Sequence, residues 1–352
     1  MSFRLRCVLI AAVTTIGSSA GAQELKQVAT IAFPGEPVDQ FAGLTIDQAS
    51  GRGYLADKDN RGVVVFDTKT DKFVARISGF VGLTKRGTAS GPNGLLVAGG
   101  ELWVSDGDST IKVVEIASGK VTATFPTGGT RRANGMAFDP QNKIVLVVNS
   151  NDEPPFISLI SAPDRKVLAK IPVPESAENL ERSAWHAPSG MFYTAIPVLS
   201  SDKSKGILAQ VDSKNGKLIK LHELDGCHPH SLQIVSDTTI FLGCSSAHGP
   251  NKKPGGDLAV FDIASGKVTA RHANMGGNGA SALNPKLDRY YHSSTEAALI
   301  VADIKTGKLV QRVTTSRGAR SSAVSLATGR VYVATSAKTG PCGGCVVVYG
   351  SE

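Results

Sequence analysis

LAVFDIASGKVTARH (258–272) joins two short apolar runs through a tight polar turn, and the chain repeats it. Close copies are VVVFDTKTDKFVARI (63–77), IKVVEIASGKVTATF (111–125), LAQVDSKNGKLIKLHEL (208–224) and LIVADIKTGKLVQRV (299–313), with a weaker one in ISLISAPDRKVLAKI (157–171). Each is a β-branched run, an acidic or small polar residue, a G-K-like turn and a second run. The anchor positions Asp67, Glu115, Ser161, Asp212, Asp262 and Asp303 lie 41 to 51 residues apart. A period of that size marks a repeat array, in which no unit buries its apolar faces alone.

A seventh copy begins at CVVVYG (345–350) and lacks its second run, which LKQVATIAF (25–33) supplies from the other end of the chain. Each unit also carries two earlier strands, as in FAGLTID then GRGYLAD (41–57) and NGMAFDP then KIVLVVN (134–149). Period-2 alternation recurs and no helical 3.6 period is sustained. Four strands in about 47 residues match a propeller blade. The expected fold is all-β: a seven-bladed β-propeller with four antiparallel strands per blade, the last blade closed by the N-terminal strand.

YLADKDNRGVVVFDTKTDKFVARI (54–77), ELWVSDGDSTIKVVEIASGKVTATF (101–125) and VYVATSAKTGPCGGCVVVY (331–349) resemble the YVTN-repeat family of extracytoplasmic seven-bladed propellers. The likeness spans the chain from residue 23 onward. It implies a rigid ring used for binding, and its motif encodes strands and turns without naming a ligand.

Residues 1–22 read as a secretory signal. Arg4 and Arg6 precede the apolar run 7–16, and Ala20-Gly21-Ala22 forms a cleavage pattern before Gln23. Removing them leaves residues 23–352 as a single domain, periplasmic or secreted, and lowers the net charge from +8 to +6. No later stretch approaches the roughly 18 apolar residues of a membrane span. The remaining charge is spread over turn lysines such as Lys120, Lys217 and Lys267, and aromatics make up 6% of the chain, so nucleic acid is a disfavoured partner. The expected partners are a small anionic ligand or a protein, and the expected state is a monomer.

In an antiparallel blade the connections between blades share one rim with the turn between the second and third strands, and this rim carries the long loops. Function is expected there. All seven histidines lie between residues 186 and 292. His186, His228, His230, His248 and His292 map to the long-loop rim or its strand ends, whereas His222 and His272 map to outer-strand surface. In GCHPHSL (226–232), His228 and His230 are two apart and would share one side of an extended strand. That spacing suits a metal, with His186 or His248 as third ligand. The alternative is that these rings hydrogen-bond loops and pack against Pro229 and Trp185.

Asp57, Asp106 and Asn149, with Asp59, Asp108 and Asp152, collect at the ends of second strands, where they suit either Ca²⁺ or tight turns. Arg86, Arg131, Arg132, Arg182 and Arg320 fall in loops between blades, nearest the axis, and a ring of guanidinium groups would hold a carboxylate or phosphate. The candidate ligand-binding set is therefore His186, His228, His230, His248, Arg131, Arg182, Arg320, Asp57, Asp106 and Asn149. No cofactor is implied beyond a divalent metal at such positions. Cys227 with Cys244, and Cys342 with Cys345, are the expected disulfides of an oxidising compartment. No nucleophile elbow, phosphate loop or dinucleotide fingerprint occurs. The leading functional expectation is a binding scaffold using the long-loop rim around blades 4–6. The alternative is a lactonase or lyase acting on a lactone or sugar acid, with histidine as general base and arginine as carboxylate clamp.

Overall fold

The computed structural model describes residues 24–83, 90–176, 179–246 and 255–351. Seven four-stranded antiparallel sheets follow one another along the chain, covering residues 41–78, 95–126, 136–172, 183–225, 228–272 and 279–317, with the seventh assembled from both ends. In that seventh blade Ser321–Val324, Val331–Thr335 and Cys345–Gly350 are completed by Lys26–Ala32, which pairs antiparallel with the last strand from Lys26↔Gly350 to Ala32↔Cys345. The propeller expected from the repeat is the fold observed. Two features went unexpected: a short ribbon pairing Gly82–Leu83 with Ser90–Gly91, and a 3₁₀ turn at Pro285–Leu287.

The anchor acids of the repeat build turns. Asp67 Oδ1 accepts the backbone N–H groups of Lys69 and Thr70 at 2.9 Å each, and Asp212 accepts those of Lys214 and Asn215 at 2.9 and 3.0 Å. Asp303 does the same with Lys305 and Thr306. These donors hold the Asp212 carboxyl below its ordinary range. The glycine that follows, at Gly119, Gly216, Gly266 and Gly307, sits at a φ of 63 to 68°, where a side chain would be strained.

Alternation along each strand sends successive side chains to opposite neighbours. Val63 and Val65 pack with Leu102 and Val104 of blade 2, while Val64 and Phe66 pack with Tyr332 and Val346 of blade 7. Among the described residues the buried apolar side chains fall into seven clusters, each drawn from two adjacent blades. The core is therefore the set of seams between blades. The seam between blades 7 and 1 carries a polar staple as well. Tyr332 Oη donates to Thr68 O at 3.0 Å and to Asp71 Oδ1 at 2.8 Å, and Arg330 pairs with the same Asp71 carboxylate.

Candidate functional site

The first strands of the blades begin at the long-loop rim in equivalent backbone settings. Asn93 N–H donates to Ser105 O and receives a reciprocal bond through Gly94 O; Asn134 with Gly135 repeats this against Val148, and Glu181 with Arg182 against Ala195, all at 2.8 to 3.0 Å. The glycines let neighbouring blades approach. A Cβ at Gly94 would lie 2.3 Å from Asn134 O, and one at Gly135 2.7 Å from Glu181 O. Blade 4 thus carries Glu-Arg where blades 2 and 3 carry Asn-Gly. Strand register sets His230 of blade 5 and Arg320 of blade 7 at the same level, each just before the pairs Ser231↔Gly243 and Ser321↔Ala334.

Charged groups from five blades meet here. Lys58, from the turn between the second and third strands of blade 1, is 8% exposed. Burial, aided by the charges of Arg132 and Arg320, pushes its ammonium down to about 7, against a pull upward from Asp59. Arg132 precedes blade 3, and it feels both Glu181 and Arg320; Arg182 of blade 4 feels the same two groups. Interactions that run from blade 1 to blade 3 and from blade 4 to blade 7 cross the ring, so these side chains converge on the axis. Burial alone would raise the Glu181 carboxyl. The adjacent His230 ring, with the charges of Arg182 and Arg132, brings it below its ordinary range instead. His230 Nδ1 lies 3.6 Å from Glu181 Oε1. Lys58 and three guanidinium groups thus share this region with the carboxylates of Glu181 and Asp59 and with one histidine. Arg320 is steadied by a bond from Nη2 to Phe41 O at 3.2 Å, whereas Arg132 Nε is buried with no hydrogen-bond acceptor among the described residues. A cavity of about 300 Å³ bounded in part by Phe41, Arg317, Arg320 and Lys338 adjoins the group.

The structure brings together Arg182, Arg320 and His230 from the sequence-derived set, and separates others from them. Arg131 points its charge outward, pairing with Glu153 and bonding to Asn151 O at 3.1 Å each; its neighbour Arg132 enters the cluster. His186 closes its strand at the short-turn rim, beside the turn to Met191, where Ser189 Oγ and Asp237 O hold its ring at 2.7 and 2.9 Å. His228 Nδ1 donates to Pro197 O at 2.7 Å. A bulge between Pro229 and Ser231 breaks the two-residue alternation at His230, so the two histidines serve different partners. His222, expected on the surface, is buried against Phe261, with Nε2 at 3.2 Å from Gln210 Oε1. His292 is fully buried, meets Ser231 Oγ at 3.3 Å, and is pushed down to about 4 by burial and, secondarily, by His230, so it is neutral. His248 and Arg86 lie outside the described residues.

The acidic and amide strand ends are committed to local partners within their own blade or in the connection that leads into it. Asp57 pairs with Arg76 and accepts Asn60 Nδ2; Asp106 pairs with Lys112; Asn149 bonds Thr127 and Ser158 at 2.6 and 2.9 Å. Among the described residues no group of three or more His, Cys, Asp or Glu side chains is arranged to hold a metal ion. Cys227, entering the first strand of blade 5, is bridged to Cys244 of the adjacent strand with Cα atoms 4.9 Å apart. Cys342 and Cys345 form the second pair, with Cα atoms 5.9 Å apart.

Glu181 and Lys58 escaped sequence reasoning. The interruption of the Asn-Gly repeat at Glu181-Arg182 was the available signal. Neither a protein-family model nor a curated protein matches the chain. Fold and site together define a seven-bladed propeller with a cationic axial mouth.

Proposed function

We propose that this propeller is an extracytoplasmic binding protein of the YVTN-repeat kind, and that its axial mouth takes a small organic or inorganic anion. One observation carries the reading: Lys58, Arg132, Arg182 and Arg320 converge with Glu181 as the carboxylate that opposes them. Like charges gathered away from water raise the free energy of the empty site, and a bound anion relieves that repulsion. Guanidinium groups add directional donors for carboxylate or phosphate oxygens. The site lies nearer the axis than the sector of blades 4–6 singled out by the histidines.

Processing after Ala22 and export of residues 23–352 as one domain belong to the same proposal. The cysteine pairs support it, and among the described residues no helix is long and apolar enough to cross a membrane. Calorimetric titration with malonate, phosphate and sulfate tests the site: saturable binding that weakens in Arg182→Ala supports it, and no heat from any of the three contradicts it.

A second reading, hydrolysis of a lactone, draws on the contact between His230 and Glu181. A histidine oriented by a carboxylate beside an arginine clamp has the arrangement of a general base acting on water. Turnover of a lactone panel, lost in His230→Ala, is its test.

A further inference from the structure

The seam between blades 6 and 7 lacks a cover that the three seams before it have. In those seams the turn between the third and fourth strands of one blade closes on the fourth strand of the blade before it. A Cβ at Gly216 would lie 2.8 Å from Ala169 Cβ, one at Gly266 2.8 Å from the His222 ring, and one at Gly307 2.5 Å from His272 Nε2. Blade 7 has no such turn, because its third strand, Cys345–Gly350, and its fourth, Lys26–Ala32, come from opposite ends of the chain. Gln311 holds the register position of Ala169, through the pairs Val301↔Gln311 and Leu159↔Ala169. In place of a turn glycine it grips the incoming chain: Oε1 accepts Leu25 N–H at 2.8 Å, and Nε2 donates to Leu25 O at 2.9 Å. Beside it a cavity of about 1260 Å³ opens at the short-turn rim, opposite the axial mouth, with room for a drug-sized molecule.

Leu25, Tyr291 and Val301 of the seam cluster line this cavity, and Leu287 and Val310 add apolar surface that is 53% and 40% exposed. Its charges are unbalanced. Of four lining cations, Arg330 pairs with Asp71 and Arg289 lies 3.6 Å from Asp303, while Lys69 and Lys286 pair with no carboxylate among the described residues. Of two lining acids, Asp288 pairs with Lys305, and Glu24 has Gln311 Nε2 at 3.5 Å. Asn284 is buried at the same cavity, and its Oδ1 accepts no hydrogen bond among the described residues. We infer that the cavity binds a small amphiphilic organic anion, with its apolar body against Leu287, Tyr291 and Val310, its acidic group toward Lys69 and Lys286, and an N–H or O–H for Asn284. Apolar walls with a few placed polar groups are the ordinary make-up of such sites. Lysines act as point charges on flexible stems, which suits a carboxylate or a sulfonate equally. The site uses no residue of the axial mouth and stands apart from it.

Fluorescence titration tests it with two dyes that share an apolar arylamine body. Anilinonaphthalene sulfonate carries the acidic group, and phenylnaphthylamine lacks it. The sulfonate should bind one-to-one and more tightly than the neutral dye, and malonate should not displace it. Lys69→Glu/Lys286→Glu should weaken the sulfonate at least about tenfold and leave the neutral dye within about twofold. Leu287→Ser/Val310→Ser should weaken both dyes. Leu168→Ser, which removes a more exposed apolar side chain from the outer strand of blade 3, should change neither. Circular dichroism shows that each variant is folded. Equal affinity for the two dyes, or a sulfonate affinity unmoved by the charge reversal, would overturn recognition of an anion. The same loss in Leu168→Ser as in Leu287→Ser/Val310→Ser would overturn the cavity as the site. Displacement by malonate would place the dye in the axial mouth, and a dimer that the dye dissociates in sedimentation velocity would assign the cavity to a second copy of the chain; either result overturns the inference.

Discussion

His230 Nδ1 stands 3.6 Å from Glu181 Oε1, so the carboxylate that tempers the cationic mouth is itself tied to the neighbouring blade. With its pKa held down in the folded state, Glu181 contributes stability that is present above its ordinary value of 4.5 and is lost as pH falls through the folded value. Glu181→Gln should therefore flatten the acid limb of a stability–pH profile measured by urea denaturation. Removing a negative charge from the mouth should also tighten malonate by about tenfold, or ~1.4 kcal/mol.

Lys58 makes the mouth sensitive to pH. Its ammonium titrates at about 7 in the folded protein against an ordinary 10.5. Between those values the unfolded chain holds a proton that the folded chain lacks, so the burden of the buried charge is full below about 7 and fades as pH rises to 10.5. Lys58→Met should raise Tm at pH 6, with a gain that shrinks toward pH 10. Anion affinity should fall as pH rises through 7 in the native protein and change far less in Lys58→Met. Arg132, Arg320 and Asp59 are the charges that set this midpoint, so Arg320→Ala should move it upward.

Arg131 and Arg132 are adjacent in sequence and opposite in role. Arg131→Ala loses an exposed pair with Glu153, worth about 0–1 kcal/mol, and should leave malonate binding unchanged. Arg132→Ala should weaken it at least about tenfold, as expected for loss of a charge-assisted donor. Calorimetry on the two variants separates these outcomes.

Tyr332 ties the last blade to the first. Tyr332→Phe should destabilise the ring by about 1–3 kcal/mol, since Thr68 O and the Asp71 carboxylate lose a donor in a buried seam. Deleting residues 24–32 should do far more, because it strips the outer strand from blade 7 and exposes the edge of Cys345–Gly350. Denaturant midpoints measure both.

The ring was legible because its determinants are local. Asp67, Asp212 and Asp303 cap their own turns, and alternation such as Val63-Val64-Val65-Phe66 declares two buried faces without reference to anything distant. The mouth was harder to read because only closure of the ring defines it. Nothing within a window around Lys58 shows that Arg132 and Arg320 will stand beside it. Which of Arg131 and Arg132 turns inward is set by the path of one loop. The histidines were misleading for the complementary reason: closeness in sequence placed His186 and His228 in adjacent blades but on opposite rims, and a single bulge at His230 broke the spacing that a metal site would have used.

An anion site built from Lys58, Arg132, Arg182 and Arg320 at the axial mouth requires that binding be lost with its guanidinium groups. Calorimetric titration of malonate into the native protein and into the double variant Arg132→Ala/Arg182→Ala, each shown to be folded by circular dichroism, tests it most directly. Saturable one-to-one binding to the native protein, abolished in the double variant, is the predicted result; equal binding by both, or by neither, would contradict it.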